Sequence, residues 1–479
     1  MMKKDSQPTM KQVCDSVLKR ITPTKLKRET IEGLARELER KVSASAVKKG
    51  IEAIVRVEGS VAKDTWLKEE PDIDVFMCLP PTTPKKVLGT VSLEIAREAT
   101  EGSRQVERFA EHPYLEAFVE GVRVNIVPCY CVESGEWLSA TDRTPFHTDY
   151  VKKHLSLSLR SEVRLLKSFL QGIGVYGAEI KVGGFSGYLC ELLIINYGSF
   201  LKTLQVFAEC TPRMEIDIED YYSGRGKELQ LLFDEPLVVI DPADKGRNVA
   251  SAVRPQRIHL LAAAARQFLR TPNEQFFFPS KTKALSCQRV KRQLEKHGSD
   301  FLFLTFSEIN AVPDVLWGQL YRTQRALRKL LELHDFQVLR EMTWSDEETL
   351  NIFVFELEQQ TLPCTKKHLG PPLEREQECD NFLAKYAGNK CVVSGPYIED
   401  GRWKVELTRK QTDAVKLLSE KLAAGSRNVG VAELISEVFK VGFSILANEE
   451  VTNVYSSNSK FAEFFTDFLS GKPFWLKAS

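Results

Sequence analysis

Two β-rich runs, IEAIVRVE (residues 51–58) and IDVFMCL (residues 73–79), frame the stretch that most restricts what this chain can fold into. They are joined by GSVAKDTWLKEEPDID, running from Gly59 to Asp74. A strand that ends in Gly59 and Ser60 presents backbone N–H groups and a hydroxyl at close range, which suits a phosphate chain. Asp72 and Asp74 are two apart on a strand, so their carboxylates share one face. A carboxylate pair of this kind can hold magnesium, which keeps some waters and completes its shell with carboxylate and phosphate oxygens. Taken singly, a Gly-Ser is a turn and an Asp-x-Asp is a solvated strand end. The short fixed spacing between them, with Trp66 in the connecting loop, makes the two parts one candidate nucleotide- and metal-binding site.

Around that stretch the chain alternates helix and strand patterns. Residues 11–49 read as two amphipathic helices broken near Pro23, with Thr24 a candidate N-cap. A helix is expected over residues 84–99, and strands over 106–110 and 122–127. Residues 155–208 read as mainly helical, with glycine punctuation at 172–177 and 183–187. A short strand follows at 237–240, a helix at 258–269 and a linker at 271–282. The remainder mixes strands (301–305, 350–356, 390–393, 403–407) with helices (315–333, 413–422). The expectation is an α+β multidomain chain. An α/β domain spans residues 1–154, a mainly helical one 155–271 and an α+β remainder 272–479.

Composition narrows the class without naming a partner. Lys and Arg number 66 against 65 Asp and Glu, and 43% of residues are hydrophobic, as in ordinary globular proteins. Charge is nevertheless unevenly placed. Residues 1–50 carry 13 basic and 6 acidic side chains, residues 281–300 carry 6 and 2, and residues 341–358 carry 6 acids and no base. An RNA-binding groove needs a local positive surface rather than a basic whole. The ten cysteines include no CxxC pair, so neither a zinc site nor a disulfide framework is expected. The first twenty residues lack an apolar core, so no signal peptide is expected, nor a membrane span or membrane partner. The expected location is the cytoplasm.

The run GSVAKDTWLKEEPDIDVF is similar to the active-site signature of the nucleotidyltransferase superfamily, and within it resembles the archaeal-type (class I) CCA-adding enzymes, the tRNA nucleotidyltransferases. Further blocks resemble that family in its order: GVRVNIVPCY, DRTPFHTDY, EVRLLKSFL, VYGAEIKVGGFSGYLCELLI, DPADKGRNVA, PDVLWGQL and LPCTKKHLGPPL. The resemblance implies a nucleotidyltransferase palm, a helical neck, and a body and tail that bind tRNA through its acceptor stem and T arm. It implies template-independent addition of C, C and A to tRNA 3′ ends from CTP and ATP, by two-metal transfer with Mg2+. DNA is not implied as a partner, and a homodimer is left open. Residue by residue, it implies phosphate binding for Ser60 beside Gly59, and a nucleotide contact for Lys63, where the family usually has arginine. Asp72 and Asp74 become the metal-binding pair, and Lys167 a triphosphate contact. His147 and Tyr176 become nucleotide contacts, and Arg247 an aid to base recognition. Without the resemblance His147 reads as a structural histidine, Lys167 as a snorkelling lysine, Tyr176 as a cap on an apolar cluster and Arg247 as a surface charge.

The departures from the family pattern carry their own expectation. Asn125 stands where the family has the third catalytic aspartate, and Gly183-Gly184 stands where it often has Arg-Gly. Asparagine has nearly the same shape but is neutral, and its amide donor would face a cation. An engineered replacement and a natural variant with weakened catalysis both stay open. On either account nucleotide and tRNA binding survive and turnover falls. Two alternatives remain beside CCA addition: an oligoadenylate or poly(A)-type polymerase, and a catalytically dead RNA-binding protein on the same scaffold.

Overall fold

The structure, a computed structural model, describes residues 9–109 and 112–476. These form two compact units. One comprises the described residues up to Ser280 together with those from Pro473 on, and the other is Lys281–Lys472. The mixed α and β multidomain class expected from the sequence is present in both.

The first unit opens with α1 (Met10–Ile21) and α2 (Lys25–Lys48). Thr24 caps α2, its hydroxyl accepting from the Lys27 amide at 3.3 Å, so Pro23 does mark the break. Then come β1 (Ile54–Glu58), α3 (Gly59–Ala62), β2 (Asp72–Leu79), α4 (Lys85–Ala99), β3 (Arg104–Phe109), β4 (Pro113–Val119) and β5 (Val122–Tyr130). Ala110, the expected end of β3, lies outside the described residues. The sheet order is β1-β2-β5-β4-β3, with β2 and β5 parallel and the other neighbours antiparallel. Strand β4 is absent from the sequence reading. Its hairpin with β5 turns on Glu120 and Gly121, both at positive φ (51° and 77°), as two-residue hairpins favour.

Strand β2 shows why one face became chemical. Ile73, Val75, Met77 and Leu79 are fully buried in a core shared with Leu38 and Val42 of α2 and Leu88 and Ile95 of α4. Period two then sends Asp72 and Asp74 to the opposite face. Register places Glu58 beside Asp74, Asp74 beside Asn125 and Asn125 beside Glu116. Four polar side chains therefore form one row across β1, β2, β5 and β4.

The unit continues with α5 (Thr144–His154), α6 (Leu157–Gly172), α7 (Gly187–Tyr197), α8 (Phe200–Glu209), β6 (Met214–Ile216), α9 (Gly226–Leu232), β7 (Leu237–Asp241), β8 (Asp244–Asn248) and α10 (Pro255–Arg270). Their core centres on Phe169, whose ring lies 5.4–5.7 Å from those of Phe200, Phe268, Phe276 and Phe277. Helix α1 adds Val13, Val17 and Ile21 to this core rather than to the one beneath the sheet. Helix α7 is apolar nearly all round because it is a core helix, and it carries one fully buried acid, Glu191. Among the described residues no helix is long and apolar enough to cross a membrane.

The second unit contains α11 (Cys287–His297), β9 (Asp300–Ser307), α12 (Pro313–Leu333), β10 (Val338–Ser345), β11 (Leu350–Leu357), β12 (Thr365–Pro372), α13 (Glu376–Tyr386), β13 (Val392–Glu399), β14 (Arg402–Thr408), α14 (Ala414–Ala423), α15 (Glu433–Val441), β15 (Ser444–Ala447), α16 (Thr452–Ser457) and α17 (Ser459–Ser470). One antiparallel sheet has the order β10-β11-β9-β15 and a smaller one β12-β14-β13. The larger sheet is covered on both faces. Leu302, Leu304, Phe353 and Phe355 pack with α12, α14 and α15, while Phe303, Ile352 and Val354 pack with α11, α16 and α17. That is why its strands read as nearly unbroken apolar runs.

Candidate active site

The turn after β1 is built around a close approach. Gly59 has φ +70°, and a Cβ there would lie 2.0 Å from Asp74 Oδ2. Only glycine brings this backbone against the carboxylate. Asp74 Oδ1 accepts from the Asn125 side-chain amide at 2.9 Å. Burial disfavours the Asp74 charge and pushes its carboxyl up to about 6, although the Asn125 hydrogen bond works the other way. Asp72 is paired with Arg123, whose Nε donates to Oδ1 at 2.9 Å and whose Nη2 contacts Oδ2. Glu58 makes an ion pair with Arg56 Nε at 2.8 Å, with neither oxygen in an aligned hydrogen bond. Glu116 accepts from Arg108 Nη2 at 2.8 Å.

Lys63 leaves this face and enters a buried cluster. Its ammonium donates to Glu191 Oε2 at 2.5 Å. Lys167, on α6, donates to Thr65 Oγ1 at 3.1 Å, to the Thr65 carbonyl at 3.2 Å and to Glu191 Oε1 at 3.4 Å. Thr65 Oγ1 itself donates to Glu191 Oε1 at 2.5 Å. All four side chains are buried. Burial disfavours charge on Glu191, yet the two lysines hold its carboxyl below the usual range. Burial also pulls Lys167 below the usual lysine range, with Glu191 opposing. Two lysines facing one carboxylate leave a formal charge of one positive unit.

That excess sits at the start of α7. A Cβ at Gly187 would lie 3.1 Å from the Tyr176 hydroxyl and 3.5 Å from Lys167 Nζ. A phenol, an ammonium and the N-terminus of α7 therefore converge on one glycine, a set of donors that could hold a phosphate chain. The next residue, Tyr188, links this cradle to a second cluster. Lys63 lies 5.7 Å from its ring, and His147 stacks on it at 4.1 Å. Asp241, fully buried, is the hub: it takes the Tyr188 hydroxyl at 3.1 Å, His147 Nε2 at 2.8 Å and Arg247 Nη1 at 2.6 Å. Burial lowers the His147 pKa, with Asp241 opposing.

Of the residues singled out from the sequence, Gly59, Lys63, Asp72, Asp74, Asn125, His147, Lys167, Tyr176 and Arg247 make the contacts above, while Ser60 enters through its carbonyl, which accepts from the Thr65 amide at 3.0 Å. Sequence reasoning missed Glu191, Thr65, Tyr188 and Asp241, the groups that hold the others in place. The one available signal was Glu191, a lone acid in an apolar helix. It also missed Glu116, the acid directly opposite Asn125, because β4 itself was not recognised. Among the described residues no cluster of three His, Cys, Asp or Glu side chains could hold a metal ion. Asp72 and Asp74 supply two carboxylates on one face, enough for one hard cation completed by phosphate oxygens.

Three family models match the chain. Residues 33–155 match the nucleotidyltransferase domain, 161–278 the second domain of tRNA nucleotidyltransferase and 297–448 the C-terminal domain of the CCA-adding enzyme. The CCA-adding enzyme of Methanosarcina barkeri is 39% identical over 436 residues, 90% of this chain and 93% of its own. That of Methanosarcina acetivorans is 37% identical over 439 residues, 91% and 94% of the two chains. That of Halobacterium salinarum is 34% identical over 440 residues, 89% and 95%.

Two measurements test the two hubs. Glu191→Gln leaves two buried lysines without a counter-charge, so unfolding free energy should fall by roughly 3–5 kcal/mol in denaturant titration. A loss below about 1 kcal/mol, the worth of an exposed pair, would show that the cluster is not held by this charge. Asp241 has its carboxyl near 2 against an ordinary 3.8. Its stabilising contribution is complete above the ordinary value and is lost as pH falls through the folded one. Asp241→Asn should flatten the acid limb of the Tm profile between pH about 4 and 2. Parallel acid limbs would contradict the assignment.

Proposed function

The chain belongs to the CCA-adding enzyme family, and from that membership and the site geometry we propose that it adds C, C and A to tRNA 3′ ends, using CTP and ATP without a nucleic-acid template. The observation that carries the reading is the convergence of Lys167 and Tyr176 at the start of α7, with Glu191 tying Lys167 to Lys63 of the segment that follows Gly59. Lys63, Lys167, Ser60 and the Tyr176 hydroxyl hold the triphosphate. His147, stacked on Tyr188, and Arg247, tied to Asp241, face the nucleoside, and Arg247 helps select the base. We assign the catalytic head to residues 1–154, the neck to 155–271 and the tRNA-binding body and tail to 272–479. The acceptor stem and T arm are the contacted parts of tRNA, and the cytoplasm is the place of action.

Nucleotidyltransferases use divalent metals. Asp72 and Asp74 are the residues that would hold magnesium, which would neutralise phosphate charge and favour the ionised form of the attacking 3′-hydroxyl. This chain's own residues set how well that works. Asp72 is already neutralised by Arg123, Asp74 is reluctant to ionise, and Asn125 adds no charge. The face is suited to one cation more than to two, and turnover is therefore slow while nucleotide binding persists.

Incubation with tRNA lacking its 3′ end and labelled CTP and ATP tests the proposal. The expected product carries three added residues and then stops. Long adenylate tails would support a poly(A)-type polymerase instead, and binding without incorporation a dead scaffold. Asn125→Asp should raise CMP incorporation by about 10²-fold, the lower end of what a positioned proton acceptor contributes. An unchanged rate would mean that Asn125 is not what limits this site.

A further inference from the structure

The loop that carries Lys63 is held from a second side by charges that the nucleotide site does not use. Asp64 follows Lys63 in the left-handed backbone region, at φ 52°. Its Oδ1 accepts from Arg164 Nη2 at 2.5 Å. Its Oδ2 pairs with Arg28 Nη1 of α2 at 3.1 Å and Arg160 Nη1 of α6 at 3.4 Å. Arg164 is 2% exposed and donates also to the Trp66 carbonyl at 3.0 Å and the Asp64 carbonyl at 2.6 Å. Arg28 and Arg160 differ. Their side chains are 33% and 25% exposed, and Asp64 is their sole ion-pair partner among the described residues. The Nε of each is buried without an acceptor.

Three guanidinium groups thus share one carboxylate, a formal excess of two positive charges that no titration relieves, since arginine keeps its proton in proteins. The nearby acids are otherwise occupied or turned to solvent. Glu29 pairs with Lys25 at 3.9 Å, Glu32 is exposed, and Glu162 accepts the Phe200 amide at 2.8 Å. Crowding of like charge is felt within the group: burial pulls the Arg164 pKa down, and Arg28 and Arg160 add to that. A structural tie for Asp64 needs only Arg164. The two additional arginines are part-exposed, and their terminal nitrogens, unlike the buried Nε, can meet phosphate oxygens from outside.

We infer that Arg28 and Arg160 form a docking site for a backbone phosphodiester of the RNA substrate. The inference rests on the reading of tRNA as substrate. The phosphate takes the exposed terminal nitrogens of the two guanidinium groups, while Asp64 stays with Arg164. Because Asp64 and Lys63 are neighbours, RNA and triphosphate grip opposite sides of one loop. Inorganic phosphate or pyrophosphate offers the same oxygens, so the two sources must be separated by experiment.

The test is equilibrium binding of labelled tRNA lacking its 3′ end to the full chain across a salt series, which needs no turnover. Arg28→Gln with Arg160→Gln should weaken tRNA binding about tenfold and reduce the log–log salt slope by about two, one per lost phosphate contact. KM for CTP should stay as in the parent, and the thermal midpoint should hold because Arg164 still satisfies Asp64. The double lysine variant should recover most of the salt slope, since it restores charge without the fork. Unchanged affinity and slope would overturn the inference. So would unchanged tRNA binding with weakened pyrophosphate inhibition, which would assign the site to free phosphate. A parent protein that binds tRNA but incorporates nothing would sink the catalytic proposal and leave this one standing. A parent that binds no tRNA would overturn both.

Discussion

The carboxylate of Glu191 is the interaction on which the site depends. It lies fully buried in α7 and takes Lys63 from the loop after β1, Lys167 from α6 and the Thr65 hydroxyl. Two buried ammonium groups need that carboxylate as their counter-charge. With it, three elements of different origin are fixed within a few ångströms. The pair is also deliberately unbalanced. Two lysines on one carboxylate leave a formal positive charge beside the start of α7. A fully neutralised cluster would be a structural tie and nothing more.

The sheet face next to it is unbalanced in the opposite sense from what two metal ions need. The row Glu58, Asp74, Asn125 and Glu116 crosses four strands, and two of its carboxylates are already given to Arg56 and Arg108. Asp72 is given to Arg123. What remains for a cation is mainly Asp74, whose burial raises its pKa. Asn125 is therefore not an isolated substitution. Arg123, two residues earlier on the same strand and facing the same way, adds positive charge where a metal would need its absence. Together the two residues lower the negative charge of this face.

How much of this was legible in the sequence depended on whether the signal was local. The strand β2, the turn at Gly59 and the two acids could be read because alternation and spacing are local properties. The helices α1, α2, α4 and α6 could be read because their apolar periodicity is continuous. Strand β4 could not, since PYLEAFV lacks clean alternation and its Glu116 is buried only through Arg108. The partners Glu191 and Asp241 lie 128 and 94 residues from the groups they hold, Lys63 and His147, and no local pattern announces a pairing at that separation. The resemblance supplied the roles of Lys167, Tyr176 and Arg247, whereas the residues alone favoured bland readings for all three.

The segment from Lys63 to Trp66 concentrates these constraints. Lys63 points to Glu191, Asp64 to three arginines, and Thr65 to Lys167 and Glu191. The Trp66 carbonyl goes to Arg164, and its ring is buried beneath the sheet. Successive side chains of an extended or turning loop leave in different directions, so four consecutive residues can reach four different elements. Such a loop has almost no freedom to move one contact without straining another. Arg164 holds Asp64 and the Trp66 carbonyl together, so Lys63 keeps its place on Glu191 when Arg28 or Arg160 is altered. The two sides of this segment are thus held separately, Lys63 through Glu191 and Asp64 through Arg164, with Thr65 and Trp66 fixing the chain between and beyond them.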